Sequence, residues 1–464
     1  MMLLFFILVF VVLVVIHELG HFLAAKAGKV QVEEFAIGLP PRAFRYWRSK
    51  GFIVINGQRL EISRNVDLPI DWRNGLNKQV HATADSVNDK LVLRTIELVK
   101  TEEISWPTSG EEGQVENPQS QPHLAYGQKP EKAPSPRGAI EMNGIVSEID
   151  NGTEFTLNWL PVGGFMRPKG ENDPNVPGGL AAASPWIRLG VLLAGPAMNL
   201  LAGVVIYTLI FTQTGIPDVN RVILVEISPD SPAAQAGFQA GDLILSANGT
   251  PITSTDTIRT LIYASMDQPV VVVYERNGQQ FTTTVVPSSQ RTAEQGATGV
   301  LLGNPVQPAN LLAAMSLGVR VTGMYIHEVL TLPARIIQGS ITTDQARFIG
   351  LKGMYDFMSQ AVTKDQQTRQ VPQQPTGTPA GQPTNYTLAL IATLTISLGI
   401  FNLLPFPALD GGRILFLLPE LIFRRRVPPR IEATVHAVGI MLLLVLMLYI
   451  NLMDFINPIT VTLP

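Results

Sequence analysis

Residues 14–25 read VVIHELGHFLAA and place His17, Glu18 and His21 inside an apolar run that starts at the first residue. Imidazole and carboxylate groups are costly in lipid, and inside a membrane helix they mark a functional site by default. On a helix, residues four apart share a face, so both imidazoles can reach one metal ion. Glu18 lies beside them, where it can take a proton from a metal-bound water. The alternative is a pair of histidines that bind polar groups of neighbouring helices.

The composition indicates a membrane protein. Of 464 residues, 46% are hydrophobic and 15% are charged, against roughly 25% charged in soluble domains. The net charge of −3 gives no indication of a nucleic-acid partner. The absence of cysteine excludes disulfides and thiolate metal sites, so histidine and carboxylate remain as the expected metal ligands.

Four apolar runs are long enough to cross a bilayer, which takes roughly 20 residues. The predicted spans lie within residues 1–50, at 187–212, at 385–420 and at 431–454. Basic residues follow the first span and separate the last two, which predicts that both loops are cytoplasmic; they are Lys26, Lys29, Arg42, Arg45, Arg48, Lys50, Arg413, Arg424, Arg425, Arg426 and Arg430. Both termini and the stretch from about 212 to 385 are then expected outside.

Two segments between the first two spans carry strand patterns. Residues 51–153 are predicted to form a cytoplasmic insert, partly β and partly flexible, with the flexible part at about 108–137. Residues 154–186 begin with EFTLNWLPVGGFMRP, which alternates like a strand and breaks at Gly163 and Gly164. This pattern predicts a β-hairpin or loop associated with the membrane.

The region between the second and third spans has three parts. Residues 213–290 are β-rich. Residues 307–362 are predicted to form amphipathic helices on the membrane surface, because Ser316, Arg320, Gly323 and His327 recur at helical spacing opposite an apolar face. Residues 363–384 are rich in Gln, Pro and Thr, which predicts a disordered linker.

A third metal ligand is expected in NLLPFPALDGG, residues 402–412. Pro405 and Pro407 interrupt the third span, and broken backbone at membrane depth is tolerated only where it is buried or lines a wet cavity. Gly411 and Gly412 would allow a tight turn that brings Asp410 back towards the histidines. The alternative is an ordinary helix end capped by Asp and Gly.

Asn402 lies one helical turn before Pro405, where its amide could donate to a developing oxyanion. Its alternative role is a hydrogen bond between helices. The remaining histidines lack ligand spacing and are interpreted as structural or exposed; they are His81, His123, His327 and His436.

HELGH at the end of a first membrane helix, together with NLLPFPALDGG, resembles the site-2 protease family of intramembrane zinc metalloproteases. GPAMN, residues 195–199, is similar to the GPxxN element of that family, and residues 228–249 resemble a PDZ domain. Four spans with a PDZ domain at 213–290 match the bacterial regulator-of-sigma-E protease (RseP-like) branch. The resemblance implies a polytopic α-helical membrane protein of four transmembrane helices, with a membrane-associated β-loop and an inserted β-rich PDZ domain.

The resemblance implies site residues on matching positions. Zn²⁺ would be bound by His17, His21 and Asp410, Glu18 would be the general base, and Asn402 would lie near the scissile peptide. The β-loop and the proline turn would bind substrate, through Gly163, Gly164, Phe165, Pro405 and Pro407. An unwound substrate needs partners for its freed backbone groups, and a strand edge at 155–165 could supply them. The alternative is a hairpin that only packs beneath the membrane core.

The expected activity is hydrolysis of peptide bonds within or beside transmembrane segments of single-span proteins such as anti-sigma factors. Two alternatives stay open: clearance of signal-peptide remnants, and a non-catalytic membrane-tethered PDZ adaptor. The expected partners are transmembrane substrates and membrane lipids, with no nucleic acid. The PDZ domain is expected to exclude bulky substrates, or else to bind peptide near residues 222–227. The expected location is the cell membrane, multi-pass, with the PDZ domain outside and the active site towards the cytoplasm.

Overall fold

A computed structural model describes residues 1–99, 140–291, 296–339, 349–370 and 385–457. The chain divides into two compact units. The first unit comprises Met1–Leu23, Pro161–Gly163 and Leu189–Pro464, and the second comprises Ala24–Leu160 and Gly164–Arg188. The predicted flexible segment at 108–137 and residues 371–384 of the predicted linker lie outside the described residues.

Helices and strands are numbered in chain order. The helices are α1 (Met2–Ala27), α2 (Trp72–Gly75), α3 (Pro185–Thr214), α4 (Pro232–Gln235), α5 (Thr255–Ala264), α6 (Leu311–Ile337), α7 (Leu351–Gln370), α8 (Tyr386–Leu403), α9 (Asp410–Phe423) and α10 (Pro429–Ile456). The strands are β1 (Val32–Arg48), β2 (Gly51–Ile55), β3 (Gln58–Ile62), β4 (Gln79–Val87), β5 (Lys90–Leu98), β6 (Ile140–Asp150), β7 (Glu154–Pro168), β8 (Ile216–Pro217), β9 (Val222–Ile227), β10 (Leu243–Ala247), β11 (Thr250–Pro251), β12 (Val270–Arg276), β13 (Gln279–Val285), β14 (Val300–Gly303) and β15 (Val306–Gln307).

Four helices among the described residues are long and apolar enough to cross a membrane, and they are α1, α3, α8 and α10. The predicted third span at 385–420 is divided, because the two prolines end α8 at Leu403 and a separate helix α9 starts at Asp410. The chain is a multi-pass membrane protein.

Helices α3, α6 and α8 share one apolar core, built around Tyr207, Ile210 and Ile396. Helix α6 packs its apolar face on this core, a contact that the sequence did not predict, and its place on the membrane surface stays a prediction. Its polar positions, including Arg320 and His327, are exposed, in agreement with their predicted spacing. Gly318 allows α6 to approach α3 closely, because a Cβ at this position would lie 3.0 Å from the Val204 carbonyl oxygen.

Helix α7 is joined to the third and fourth spans by buried aspartates. Asp454 of α10 accepts from the backbone N–H of Gly350 at 2.8 Å, and Asp365 of α7 accepts from that of Tyr386 at 2.7 Å. Helix N-termini carry unpaired N–H groups, and these carboxylates bind them. Because α7 extends to Gln370, the prediction of disorder from residue 363 is wrong for its first eight residues.

The β-rich domain of the first unit is a sheet in the order β13-β12-β10-β9-β14, with β11 beside β10. It extends past the predicted boundary at 290, because β14 pairs with β9. Strand β9 is paired on both sides, so the predicted peptide-binding strand at 222–227 has no free edge. The edge position belongs to β14, which lines a cavity of about 330 Å³ together with α5 residues Ile258 and Ile262.

In the second unit, β1 and β7 are bent and pair with each other twice. Leu157 of β7 lies opposite Ile37 from one half of β1 and opposite Phe44 from the other half. The stretch predicted as the substrate-binding edge is therefore interior at 155–157, and the outer rows are residues 164–168 of β7 and 42–48 of β1. The basic loop predicted after the first span is strand β1 over most of its length.

The insert at 51–153 contains a closed barrel in the order β2-β3-β5-β4-β6. Its interior is filled by aliphatic side chains from alternating positions, and Ile53, Leu60, Val80 and Val146 are fully buried. The barrel accounts for the strand-like part of the prediction for this segment.

Candidate metal centre

His17 and His21 lie one turn apart near the end of α1. Both are buried, with 7% of each residue exposed, and their Nε2 atoms are 3.1 Å apart. The rings meet edge to face with centroids 4.7 Å apart. The spacing of four residues thus brings both nitrogens to one point, as predicted from HExxH.

Asp410 reaches the two histidines from another part of the chain. It is the first residue of α9, and its Oδ2 lies 3.1 Å from His17 Nε2 and 3.3 Å from His21 Nε2. Gly411 and Gly412 do not form the predicted tight turn, because both residues belong to α9. A Cβ on either would overlap a carbonyl oxygen of the preceding turn, so glycine is needed there for close backbone packing.

The three ligand atoms fit a zinc ion. They lie within 4.8 Å of one another. Tetrahedral zinc with bonds of about 2.0–2.2 Å separates its ligand atoms by about 3.3–3.6 Å. The observed separations of 3.1–3.3 Å lie at or just below this range. Two imidazoles and one carboxylate would hold zinc as in a catalytic site, with one position left for water or substrate.

Helix α3 approaches the histidines closely because of two glycines. A Cβ on Gly195 would overlap Nε2 of His21, and a Cβ on Gly20 would overlap the carbonyl oxygen of Ala194. These glycines lie in the GPAMN and HELGH motifs respectively. Both motifs therefore carry glycine where α1 and α3 come into contact.

The outer nitrogens of both imidazoles contact α3. Nδ1–H of His21 donates to the Val191 carbonyl oxygen at 2.7 Å, which leaves its Nε2 lone pair for a metal. His17 Nδ1 lies 3.2 Å from the amide of Asn199, which is fully buried. The amide nitrogen Nδ2 of Asn199 faces Nδ1 in this structure. With Nε2 bound to a metal, Nδ1 would carry the hydrogen, so the Asn199 amide would turn by about 180° and its oxygen would accept it. This contact was not predicted from the sequence, although the GPAMN motif ends at Asn199.

The two predicted catalytic residues differ in their surroundings. Glu18 is half-buried on α1, next to His17. The Asn402 amide donates to the carbonyl oxygen of Leu398 at 2.9 Å, within α8 itself. The structure thus gives this amide a helical partner, and an oxyanion role would require it to exchange that partner.

The predicted substrate-binding residues fall into three places. Pro405 and Pro407 lie in the turn between α8 and α9. Gly163 is in the first unit with a left-handed φ of +75°, and a Cβ there would lie 3.6 Å from Val14 Cγ1. Gly164 and Phe165 belong to the second unit, where Gly164 pairs with Ile37 of β1 and Phe165 pairs with Ala36.

Residues 5–54 and 136–446 match peptidase family M50. The chain belongs to peptidase family M50. This is the site-2 protease family, so the predicted family is confirmed, and this M50 peptidase is an intramembrane site-2 protease of the zinc metalloprotease class. The match leaves out residues 55–135, most of the insert.

Relatives of this M50 peptidase match along nearly its whole length. The zinc metalloprotease RasP of Geobacillus kaustophilus is 29% identical over 97% of this chain and 96% of its own. The probable protease eep of Enterococcus faecalis is 26% identical over 97% of both chains. The regulator of sigma-W protease RasP of Bacillus subtilis is 25% identical over 97% of both chains.

A solved structure also matches part of this M50 peptidase. The PDZ domain of the SdrC-like protein from Listeria monocytogenes is 21% identical, with a TM-score of 0.16, over 18% of this chain and 87% of that domain. The names of the relatives agree with the predicted zinc metalloprotease activity and do not favour a non-catalytic adaptor.

Proposed function

We propose that this M50 peptidase cleaves single-span membrane proteins within or beside their transmembrane segments, with zinc bound by His17, His21 and Asp410. The observation that carries the proposal is the convergence of three ligand atoms, 3.1–3.3 Å apart, from α1 and α9. Zinc at this site would polarise the scissile carbonyl and lower the pKa of a bound water to about 7.

Glu18 is the proposed general base. It follows His17 directly, so its carboxylate lies about 100° round the helix from the ligand face, beside the ligands and outside the ligand set. A carboxylate in this position can take the proton of the attacking water and return it to the leaving amine. Asn402 is proposed to donate to the oxyanion after its amide leaves the Leu398 carbonyl.

Substrate backbone is proposed to bind through β7 by strand addition. A peptide bond inside a helix is shielded, so the substrate must unwind and its N–H and C=O groups then need partners. Residues 164–168 of β7 form an outer row of the β1–β7 sheet, and an outer row offers backbone groups for an added strand. Gly163, Gly164 and Phe165 are the residues proposed for this role, with Pro405 and Pro407 at the α8–α9 turn.

The proposed location is the cell membrane, with the metal centre towards the cytoplasm and the β-rich domain outside. The basic residues that follow α1 and those between α9 and α10 support this orientation. The proposed substrates are anti-sigma factors, in line with the Bacillus subtilis relative being named a regulator of sigma-W protease. Clearance of membrane-peptide remnants is the second candidate activity and uses the same site.

The β-rich domain is proposed to contact substrate through the cavity between β14 and α5. Apolar residues that line the cavity include Phe238, Ile258, Ile262 and Leu302, and polar groups of residues such as Thr255 and Arg259 line it as well. An extended peptide could add to the edge of β14 and place an apolar side chain in this cavity. The β-rich domain could also act as a filter that excludes bulky substrates.

Replacement of Glu18 by Gln tests the activity. We expect Glu18→Gln to slow cleavage of a tagged single-span reporter by about 10²–10⁴-fold, because proton transfer is lost while the metal ligands remain. Glu328→Gln, at an exposed position of α6, is the matched control and should cleave normally. Unchanged turnover by Glu18→Gln, with normal folding and zinc content, would overturn the proposal in favour of a non-catalytic role.

A further inference from the structure

The turn that carries Asp410 to the metal centre is held in an uncommon backbone conformation. Ala408 has a φ of +82°, in the left-handed region that residues with a Cβ rarely adopt. Asp410 follows two residues later, at the first position of α9. A change in the backbone at Ala408 would therefore move the carboxylate that lies 3.1 Å from His17 Nε2. Such a conformation persists only where its surroundings hold it.

The backbone N–H of Ala408 donates to Nδ1 of His436 on α10, at 2.9 Å. Neighbouring N–H groups find partners inside the turn: that of Phe406 donates to Leu404, and that of Leu409 donates to Phe406. Pro405 and Pro407 have no N–H to donate. The imidazole of His436 thus supplies the acceptor that the Ala408 N–H uses.

Helix α10 fixes both the ring and the turn from one side. The His436 ring packs on Phe416 of α9 with centroids 5.6 Å apart, and 13% of its side chain is exposed. One turn along α10, Gly439 is buried, and a Cβ there would overlap Pro407. By contrast, many large apolar side chains of α10 are exposed, such as Met441 and Leu448. The face of α10 that carries His436 and Gly439 therefore packs on this turn.

We infer that His436 is a positioning residue for the metal ligand Asp410, acting through the backbone of Ala408. The inference rests on the proposed function, in which Asp410 binds zinc. His436 stabilises the left-handed Ala408 by accepting its N–H, and Gly439 lets α10 press against Pro407. The fourth span thereby determines where α9 begins and where its first carboxylate points.

Two amide substitutions test the position of the acceptor atom. The Asn side chain places its oxygen where Nδ1 of histidine lies, whereas the Gln oxygen lies nearer Nε2. In the full-length protein in detergent, zinc affinity is measured by competition with a chelator. We expect His436→Gln to lower zinc affinity by about 10–100-fold and His436→Asn to remain close to the unaltered protein. His327→Gln, at an exposed position of α6, is the matched control.

Further measurements on these variants distinguish a positioning role of His436 from an effect on folding and from an incorrect assignment of Asp410 as a ligand. Metal-free melting temperatures are measured for both variants, and both should remain folded at the temperature of the zinc titration. Equal zinc affinities of these two variants would overturn the inference. Asp410→Ala is measured alongside: if it leaves zinc affinity unchanged, the ligand assignment itself fails, whereas a loss in Asp410→Ala with no loss in His436→Gln refutes only the positioning role.

Gly439→Ala tests the same turn if His436→Gln does not fold. This variant keeps the imidazole and adds one methyl group against Pro407. We expect weaker zinc binding, because the turn must shift to admit the methyl group. Zinc affinity equal to that of the unaltered protein would contradict the inference.

Discussion

Each imidazole of the metal centre is oriented by an atom of α3 outside the ligand set. His21 uses the Val191 carbonyl oxygen, and His17 uses the amide of Asn199. Such outer partners fix the tautomer and the ring orientation, and their loss commonly costs 10–100-fold in metal affinity or activity. Asn199 is therefore part of the proposed metal centre, because its side chain contacts His17.

Substitution of Asn199 tests this residue. Asn199→Leu removes the acceptor for Nδ1–H of His17, and we expect zinc affinity to fall by about 10–100-fold. Asn199→Asp offers a carboxylate oxygen to Nδ1–H whichever way the side chain turns, and it is expected to bind zinc more tightly than Asn199→Leu. The measurement is chelator competition on both variants. Equal affinities would show that the Asn199 side chain does not orient His17.

The residues of the candidate site differ in how far they could be predicted. HELGH places two nitrogens on one helical face by spacing alone, so His17 and His21 could be paired from the sequence. Asp410 could be named only because a broken helix and a resemblance pointed to it. Asn199 and His436 act through contacts 182 and 28 residues away, to His17 and Ala408, and spacing carries no signal for such contacts.

At the scale of elements, the contact of α1 with α3 depends on small residues rather than on apolar area. Lipid is as apolar as the helices, so close packing needs backbones that can approach each other. Gly20 and Gly195 supply that approach directly at the histidines. Gly190 lies on the same helix α3, yet a Cβ there would meet nothing within 4 Å. Gly195 and Gly190 of α3 can therefore be compared by the same substitution.

Gly195→Ala should damage the metal centre while Gly190→Ala should not. The added methyl group of Gly195→Ala would overlap His21 Nε2, and overpacking of this kind costs about 1–3 kcal/mol. Gly190→Ala removes a glycine from a helix interior, which favours the helix by about 0.5–1 kcal/mol. Melting temperature and zinc content are measured for both. A Gly195→Ala variant that binds zinc and melts like Gly190→Ala would contradict this packing.

The spans and the β-rich segments could be predicted because each depends on a local pattern of apolar residues. Strand pairing could not be predicted in the same way. β9 receives β14 from more than 70 residues later, and β1 pairs twice with β7, so the free edges differ from those expected. The division of the third span was signalled by its prolines, but the contact of the Ala408 N–H with His436 of α10 has no local signal in the sequence.

On the scale of the first unit, the proposed site draws on all four candidate spans. α1 supplies two ligands, α3 orients them, the α8–α9 turn supplies the third, and α10 supports that turn. Helix α7 is tied to α8 and α10 through Asp365 and Asp454. Zinc would therefore connect α1 to α9, and its location is the central claim.

Anomalous diffraction at the zinc absorption edge, from crystals of the full-length protein, tests that claim directly. We expect one anomalous peak at about 2.0–2.2 Å from His17 Nε2, His21 Nε2 and a carboxylate oxygen of Asp410. Loss of the peak in crystals of Asp410→Ala would support the same assignment. A zinc peak bound to both histidines, with the Asp410 carboxylate turned away beyond bonding distance, would contradict the account.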